Sequence, residues 1–504
     1  MASQDQLQSF PSKPRVFILS DISNEPDDAE SLVRYLLYSN QFHTEGLVAC
    51  TSTWMKNKVC PQDMHKIVDG YEKVVDNLNA HAHPDDPYPT AEYLRSQIKK
   101  GAETYGMTAV GADIPLSEGA EHLLQRIQAP STSPLWILCW GGTNVLASAL
   151  LKLQTTHSPA AFAALRANLR IYTISDQDDS GLWLRTTYPD LFYICSVHGW
   201  NQYGMAAWTG ISGDAWYGFD KGGPDPATIS REWIRANIQI GPLGGTYPDF
   251  MFIPEGDTPS FLYLVQNGLG VAERPEFGSW GGRYIPTDVS GRFGDGDGRG
   301  GHFSDTPDEV EGLDGRGYKS NQATIWRWRE AFQMDFAARM QWSLSGDVGS
   351  ANHHPVAVVN GTRGPAPLVL ELEAGSTVTL DASASYDPDP NDSLAFKWYQ
   401  YKDPSATQSS VHYEVGELGI KALNEAGSVV EITMPPPEKC CVELISRKAM
   451  QRGQLLHLIL EVKDNGSPAL ITYRRVIIQA TNEKLLGGGG GADSIGETLK
   501  DVIQ

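Results

Sequence analysis

The side chains of this chain best suited to chemistry lie in one short segment, residues 20–28. It reads Ser-Asp-Ile-Ser-Asn-Glu-Pro-Asp-Asp and carries four acidic residues: Asp21, Glu25, Asp27 and Asp28. Carboxylates this close together repel one another, which raises their pKa values unless a cation neutralises them. Calcium is a hard cation that takes oxygen ligands of this kind. The segment therefore predicts a divalent-cation site; the alternative is a solvated loop whose acids suit a helix N-terminus.

The sequence around the acidic segment predicts a strand before it and a helix after it. Residues 16–19 are Val-Phe-Ile-Leu, a run typical of a buried parallel strand, and the apolar residues of 29–37 recur at helical spacing. We therefore expect the acidic residues at the carboxyl end of a strand, where open α/β sheets bind their ligands.

Other predicted strands also end in polar or aromatic side chains. The strands are predicted at residues 45–49, 135–139, 169–174, 191–195 and 250–253. The side chains that follow them and could reach a ligand are Thr53, Trp54, Thr143, Asp178, Glu255 and Asp257. Because the carboxyl ends of parallel strands share one edge of the sheet, we expect Asp28, Thr143 and Asp257 to converge.

The predicted fold class is an α/β domain with an open, mostly parallel sheet, followed by an all-β sandwich. Residues 14–350 alternate apolar runs with helical patterns. Residues 355–482 show period-two runs separated by Gly, Pro, Asp and Asn, which predicts an immunoglobulin-like β-sandwich. Residues 483–504 contain five consecutive glycines and are expected to form a linker and tail.

Charge and composition limit the partners. A net charge of −21, from 40 basic and 61 acidic residues, argues against nucleic acid and anionic membranes as partners. It is compatible with a neutral carbohydrate or nucleoside-like substrate, with bound metal and with a homo-oligomer. The sequence shows no signal peptide and no apolar run of 18 residues, so the default expectation is a cytoplasmic protein, or a secreted one if a signal was removed. Its six cysteines show no CxxC spacing, so neither a zinc site nor a redox motif is predicted.

Tryptophans beyond the acidic segment are candidates for stacking on sugar rings, although a single tryptophan is more often a core residue. These are Trp183, Trp200, Trp208 and Trp216, with His198 and Asn201 on either side of Trp200.

The strand-end pattern resembles the nucleoside hydrolase family. In that family the first strand ends in Asp-x-Asp-Pro-Gly-x-Asp-Asp, a later turn reads Gly-Pro-Leu-Thr-Asn, and a late strand ends in His-Asp. The resemblance implies a calcium ion that orients a water and the ribose diols for N-glycosidic cleavage. It assigns Asp21, Asp28, Asp257 and the carbonyl of Thr143 to calcium, and Asp27 to sugar hydroxyls.

This chain departs from the family pattern at three places. Ser23 stands where the family keeps a loop aspartate that is a ligand and the presumed general base. The Pro-Gly pair is replaced by Asn24 and Glu25, and the late histidine gives way to Glu255 and a glycine. Because serine cannot act as a carboxylate base, water activation is expected from Asp21 or Glu25. Glu255 is the candidate acid for the leaving group.

Several intact phrases look closer to a divergent branch, often labelled "cellulose-binding, nucleoside hydrolase-like", that has an immunoglobulin-like carboxyl-terminal domain. They are Ser-Asn-Glu-Pro-Asp-Asp (23–28), Glu-Gly-Asp-Thr-Pro-Ser-Phe-Leu (255–262) and Trp-Gly-Gly-Arg (280–283). Residues 380–389 and 396–398 resemble PKD-like modules. The resemblance adds Asn24, Trp280 and Arg283 to the candidate substrate-binding residues.

Two functions stay open from the sequence. The first is a calcium-dependent hydrolase of an N- or O-glycosidic bond in a nucleoside-like or small carbohydrate substrate, whose oxocarbenium-like transition state nearby carboxylates stabilise. The second is a non-catalytic protein that binds cellulose or another plant polysaccharide and retains the metal pocket. The missing general base and the β-sandwich favour the second.

Overall fold

The computed structural model describes residues 4–198, 200–287, 301–406, 415–442 and 448–483. The chain divides into two compact units. The α/β unit consists of Pro11–Val265 and Ser279–Ser350. The β unit consists of the described parts of Met1–Phe10, Gln266–Gly278 and Ala351–Gln504.

The α/β unit is built on an eight-stranded sheet in the order β3-β2-β1-β4-β5-β6-β8-β7. Its strands are β1 (Arg15–Ser20), β2 (His43–Ala49), β3 (Ile98–Lys100), β4 (Leu135–Cys139), β5 (Leu169–Ser175), β6 (Phe192–Ser196), β7 (Tyr284–Pro286) and β8 (His302–Asp305). All neighbours are parallel except β7, which is antiparallel to β8. The predicted open, mostly parallel sheet is confirmed. The strands β9 (Asp308–Glu311) and β10 (Gly317–Ser320) form a separate antiparallel pair.

Fourteen α-helices are described in this unit. They are α1 (Asp27–Tyr38), α2 (Pro61–Glu72), α3 (Val75–Ala80), α4 (Ala91–Gln97), α5 (Glu118–Gln128), α6 (Asn144–Thr156), α7 (Pro159–Ala167), α8 (Asp179–Thr187), α9 (Gly213–Trp216), α10 (Arg231–Asn237), α11 (Gly241–Gly244), α12 (Pro259–Leu262), α13 (Ala323–Trp326) and α14 (Arg329–Trp342). None of the helices described in the structure is long and apolar enough to span a membrane.

Strand β1 lies near the middle of the sheet, and every one of its residues is buried. It pairs with β2 on one side and β4 on the other, so that Leu19 faces both Val48 and Cys139. Continuous burial explains why this run is apolar without alternation, as expected for a strand covered on both faces. The register also brings the ends of β1, β2 and β4 to one edge of the sheet.

The predicted strand at 250–253 is wrong, because these residues form no strand. Phe250 is buried, with the Arg231 guanidinium 4.2 Å from its ring centroid, whereas Met251 and Phe252 are exposed. Phe250 and Ile253 are thus buried without pairing with a strand, and a four-residue apolar run does not distinguish that from backbone pairing. The place beside β6 is taken by β8, which the sequence pattern did not reveal.

The β unit contains a four-stranded sheet in the order β13-β19-β18-β15 and a three-stranded sheet in the order β14-β17-β16. Its elements are β11 (Val358–Val359), β12 (Thr362–Arg363), β13 (Leu368–Glu373), β14 (Thr377–Asp381), β15 (Ala395–Gln400), β16 (Gly419–Ala422), β17 (Val429–Thr433), α15 (Pro437–Cys440), β18 (Arg452–Lys463) and β19 (Ile471–Thr481). Leu380 and Ile432 of one sheet share a core cluster with Leu458 and Ile478 of the other. The predicted β-sandwich is therefore confirmed. Residues 484–504 of the predicted tail lie outside the described residues.

Candidate metal centre

The end of β1 and the start of α1 position the acidic segment. The Ser20 hydroxyl donates to Asp28 Oδ1 at 2.5 Å and accepts from the Ile22 amide at 3.1 Å. The Asn24 amide donates to the Asp21 carbonyl at 3.1 Å, which closes a turn. These bonds hold Asp28 in a buried position at the carboxyl edge of the sheet.

Asp257 reaches the same place from a loop. The Ser260 hydroxyl donates to the Asp257 carbonyl at 2.7 Å and accepts from the Trp140 indole N–H, also at 2.7 Å. Trp140 directly follows β4, so this contact fixes the loop to the edge of the sheet. The structure therefore brings Asp28 and Asp257 together as expected, although no strand precedes Asp257.

Asp27, Asp28 and Asp257 form a carboxylate group. Each offers one oxygen, and the three oxygens lie within 4.8 Å of one another. Asp257 Oδ2 is buried and has no hydrogen-bond partner, and the same is true of Oδ2 of the neighbouring Asp21. The family resemblance assigned Asp27 to sugar hydroxyls, whereas the structure places one of its oxygens with those of Asp28 and Asp257.

Burial is the largest cause of the raised pKa values in this group, and mutual repulsion adds to it. The pKa of Asp21 is raised to about 6 and that of Asp27 to about 8. Asp28 and Asp257 have pKa values well above the ordinary range for the same two reasons. The buried Arg34 does not relieve this charge, since it pairs with Glu255. An all-oxygen, acidic and buried donor set fits calcium.

Gly256 lets Asp27 approach Asp257. A Cβ at this position would lie 2.8 Å from Asp27 Oδ2 and 3.2 Å from the ring of Trp208. Any side chain here would displace one of the two. The position next to Asp257 therefore cannot carry an acid or base in this arrangement.

Glu25 and Ser23 lie in the same loop but in different surroundings. Ser23 has a φ of +80°, and its hydroxyl donates to Asp63 Oδ2 at 2.5 Å. Glu25 is half-buried, and its charge contributes to the raised pKa values of Asp21, Asp27 and Asp257, after burial. Burial also raises the pKa of Glu25 itself. Glu25 is thus the carboxylate at the rim of the group.

Glu255 is not placed to act as an acid, which corrects the prediction from sequence. Its Oε2 accepts from Arg34 Nη1 at 2.9 Å, and its own amide donates to Glu30 Oε2 at 2.9 Å. The side chain is buried, and Arg34 has no exposed surface. Burial raises the pKa of Glu255 while Arg34 opposes that rise. Glu255 therefore anchors the loop that carries Asp257.

Asp178 is occupied by the protein rather than available to a substrate. Its Oδ2 accepts from the Asn144 amide at 3.2 Å, and its Oδ1 accepts from the Ser180 amide at 2.9 Å. It thereby caps α8 and fixes the turn at Thr143. The Thr143 carbonyl accepts from the Ala147 amide at 3.0 Å at the start of α6, and its role as a calcium ligand stays a prediction.

Of three other predicted binding residues, Trp280 and Arg283 are buried inside the unit and Trp183 is half-buried. The Trp280 side chain is only 1% exposed, and Trp183 packs edge-on against Tyr188. Arg283 Nε donates to buried Asp308 Oδ1 at 2.6 Å. Burial and this ion pair leave Trp280 and Arg283 no surface for a ligand.

Of the remaining predicted residues, Asn24, Thr53 and Trp54 are on loops, and Trp200 and Asn201 begin a 3-10 helix, Trp200–Met205. Trp54 is 55% exposed, and its amide donates to the Ser52 hydroxyl at 3.1 Å. The Thr53 amide donates to the Gln177 carbonyl at 2.6 Å. Asn24 is half-buried in the acidic loop. The side chains of Trp200 and Asn201 lie outside the described residues.

Tyr203 and Tyr217 are candidate site residues that the sequence did not single out. Burial, and then the charge of Glu25, raise the pKa values of both phenols. The Tyr203 ring centroid lies 5.1 Å from that of Trp208, whose ring flanks Gly256. The available signal was the density of aromatic residues between 200 and 219.

Two family models match the chain and define its class. "Cellulose-binding Sde182, nucleoside hydrolase-like domain" matches residues 15–284, and "Cellulose-binding protein Sde0182, C-terminal domain" matches residues 377–480. The chain therefore belongs to the Sde182 family, whose model is described as a cellulose-binding, nucleoside hydrolase-like domain.

A solved structure supports this assignment over nearly the whole chain. It is a nucleoside hydrolase-related hypothetical protein from Saccharophagus degradans that is associated with carbohydrate metabolism. The identity is 31%, the TM-score is 0.74, and the match covers 93% of this chain and 100% of that one. A PKD domain from the KIAA 1837 protein matches 25% of this chain and 88% of its own at 19% identity, but its TM-score of 0.14 carries no argument. No curated protein matches the chain.

Proposed function

We propose that this protein is a calcium-dependent hydrolase that cleaves an N- or O-glycosidic bond in a small carbohydrate or nucleoside-like substrate. The observation that carries the proposal is the group of Asp27, Asp28 and Asp257, with one buried oxygen of Asp257 left without a partner. A buried carboxylate oxygen without a partner is costly, and a cation would remove that cost.

Asp27, Asp28 and Asp257 would hold the calcium, with Asp21 beside them and the Thr143 carbonyl as a further donor. Bound calcium supplies positive charge that holds a water and sugar hydroxyls. The partly exposed Asp27 can also accept a hydrogen bond from a sugar hydroxyl. The carboxylates stabilise positive charge that develops on the sugar as the bond breaks.

Glu25 is the proposed general base. It is half-buried at the rim of the group, so a water can reach its carboxylate oxygen. That oxygen would take a proton from the water as the water attacks the anomeric carbon and the glycosidic bond breaks, and the leaving group would take its proton from solvent water. Its raised pKa brings it closer to neutral pH, where a base is most effective. Asp21 is the alternative base, but this residue is only 2% exposed and lies deeper.

A carbohydrate-binding protein without catalysis is the second candidate. Two observations favour it, because each leaves a position beside Asp257 unable to supply a catalytic acid. Gly256 has no room for a side chain, and Glu255 is held in a buried ion pair with Arg34. The family description, which names cellulose binding, supports the same ligand class. In that case the metal would order the loop and bind sugar hydroxyls.

Calorimetry and activity assays separate the candidates. Chelator-stripped protein is titrated with calcium, then incubated with p-nitrophenyl glycosides, nucleosides and plant oligosaccharides, with and without chelator. Asp28→Asn is compared with Asp85→Asn, whose parent side chain is 87% exposed.

Turnover that disappears with chelator and in Asp28→Asn, but not in Asp85→Asn, supports the hydrolase. Calcium and sugar binding without turnover supports the binding protein. No calcium uptake at millimolar concentration, with the protein still folded, contradicts both.

A further inference from the structure

Four aromatic side chains lead outward from the carboxylate group; we name Tyr203, Trp208, Tyr217 and Phe219 the aromatic shelf. Trp208 and Asp27 both lie close to Gly256, because a Cβ there would be 3.2 Å from the Trp208 ring and 2.8 Å from Asp27 Oδ2. Tyr203 contacts Trp208 edge-on at 5.1 Å, and Tyr217 stacks on Phe219 at 5.5 Å with an interplanar angle of 12°. These contacts form a path from the acidic group to the surface.

The aromatic shelf is supported by close packing of Phe219 on the neighbouring backbone. Phe219 packs so closely on two glycines that a Cβ at Gly204 or Gly213 would lie 3.0 or 2.9 Å from its ring. Gly204 directly follows Tyr203, so Phe219 joins the inner and outer parts of the shelf. Asp214, one residue beyond Gly213, pairs with Arg329 Nη2 at 2.5 Å. A ring held on such a support loses little conformational entropy when a ligand stacks on it.

Tyr217 is 53% exposed although its ring is stacked. An exposed aromatic ring beside a polar site is a common feature of ligand recognition, because it offers apolar area and a polar hydroxyl together. A sugar ring has a matching form, with an apolar face and hydroxyl groups along its edge. The neighbouring carboxylates accept hydrogen bonds from hydroxyls and repel anionic sugars.

We propose that the aromatic shelf binds the sugar ring next to the one held at the carboxylate group, so that the ligand is a neutral oligosaccharide of at least two rings. This inference rests on the proposed function, because it takes the carboxylate group as the first sugar position. The raised pKa values of Tyr203 and Tyr217 agree with it, since burial and then the charge of Glu25 act on both phenols.

The test measures affinity against chain length. Calcium-loaded full-length protein is titrated with gluco-, xylo- and manno-oligosaccharides of one to six units, and with nucleosides as a separate arm. Tyr217→Ala is compared with Tyr217→Phe, which keeps the ring, and with Leu313→Ala, which removes an apolar side chain that is 69% exposed elsewhere.

In the unmodified protein we expect affinity to rise from one unit to two or three. Tyr217→Ala should lose about tenfold in affinity for the longer sugars. Its affinity for the single sugar and for calcium should be unchanged. Tyr217→Phe should keep most of the gain with chain length, because it keeps the ring and loses only the hydroxyl, and Leu313→Ala should behave like the unmodified protein.

Three results would overturn the shelf proposal: no oligosaccharide binding, no gain with chain length, or a gain that survives in Tyr217→Ala. Nucleoside binding that depends on Tyr217, without oligosaccharide binding, would mean that the aromatic shelf binds a nucleobase and not a sugar ring. Calcium-dependent turnover with no effect of chain length on affinity would support the proposed function and contradict the shelf proposal. A gain in affinity with chain length that depends on Tyr217, without turnover of any substrate, would support the shelf proposal and contradict the proposed hydrolase.

Discussion

Replacing Asp257 by asparagine should change two properties in opposite directions. The asparagine side chain has nearly the same shape as that of aspartate, and Asp257 Oδ2 has no hydrogen-bond partner to lose. The substitution removes one of three clustered carboxylates. Without calcium it relieves burial cost and repulsion, so the protein should become more stable. With calcium it removes a charged ligand, so affinity should fall.

The size of the first effect follows from the spacing of the oxygens. Two full charges 4.8 Å apart interact by about 3.5 kcal/mol at an effective dielectric constant of about 20. Part of this repulsion is already avoided by proton uptake, because burial and the neighbouring carboxylates raise the pKa of Asp257 well above its usual range. We therefore expect a gain of about 1–3 kcal/mol in the unfolding free energy of the chelated protein.

The size of the second effect follows from losing one charged partner in a buried site, which costs about 3–5 kcal/mol. This corresponds to roughly a 10²- to 10⁴-fold weaker calcium affinity. Denaturant unfolding in chelator and calorimetric titration with calcium measure the two effects separately, with Asp85→Asn as the control. A chelated Asp257→Asn protein that is less stable than the parent, or that binds calcium equally well, would refute the assignment.

Four further outcomes are expected. Glu25→Gln should retain calcium and sugar binding but lose about 10²–10⁴-fold in turnover, and near-normal turnover would move the base to Asp21. Glu255→Gln should lower the unfolding free energy by about 3–5 kcal/mol, since it breaks a buried ion pair, and an unchanged denaturation midpoint would contradict its anchoring role. Burial raises the pKa of Asp305 to about 7, so ionising it costs up to about 4 kcal/mol of stability as the pH rises from about 4 to 7. Denaturant unfolding across that pH range should show a smaller fall for Asp305→Asn, and parallel curves would speak against the raised pKa. A fragment of residues 351–483 should melt below the intact chain, because buried Arg475 loses the carbonyls of Leu269 and Gly278, and equal melting temperatures would argue that residues 355–482 fold independently.

The acidic loop could be predicted from the sequence because its signal is local. An apolar run, four acids and a helical pattern follow one another within about twenty residues, and the structure reproduces that order in β1 and α1. Residues 250–253 show where local patterns fail, since a short apolar run does not reveal whether it pairs with a strand. Glu255 and Asp178 show the same limit for side chains, because their partners, Arg34 and Asn144, are distant in sequence.

Consecutive residues are enough to specify the α/β class and the β-sandwich, because hydrophobic periodicity is a local property of the chain. The meeting of Asp28 with Asp257 depends on tertiary packing, since no strand precedes Asp257. Long-range packing determines which carboxylates lie together and which ones, like Glu255, are hydrogen-bonded within the protein. It also determines that the aromatic side chains reach the surface at Tyr217. Those outcomes depend on contacts between residues far apart in the chain, where burial and charge set each side chain's chemistry.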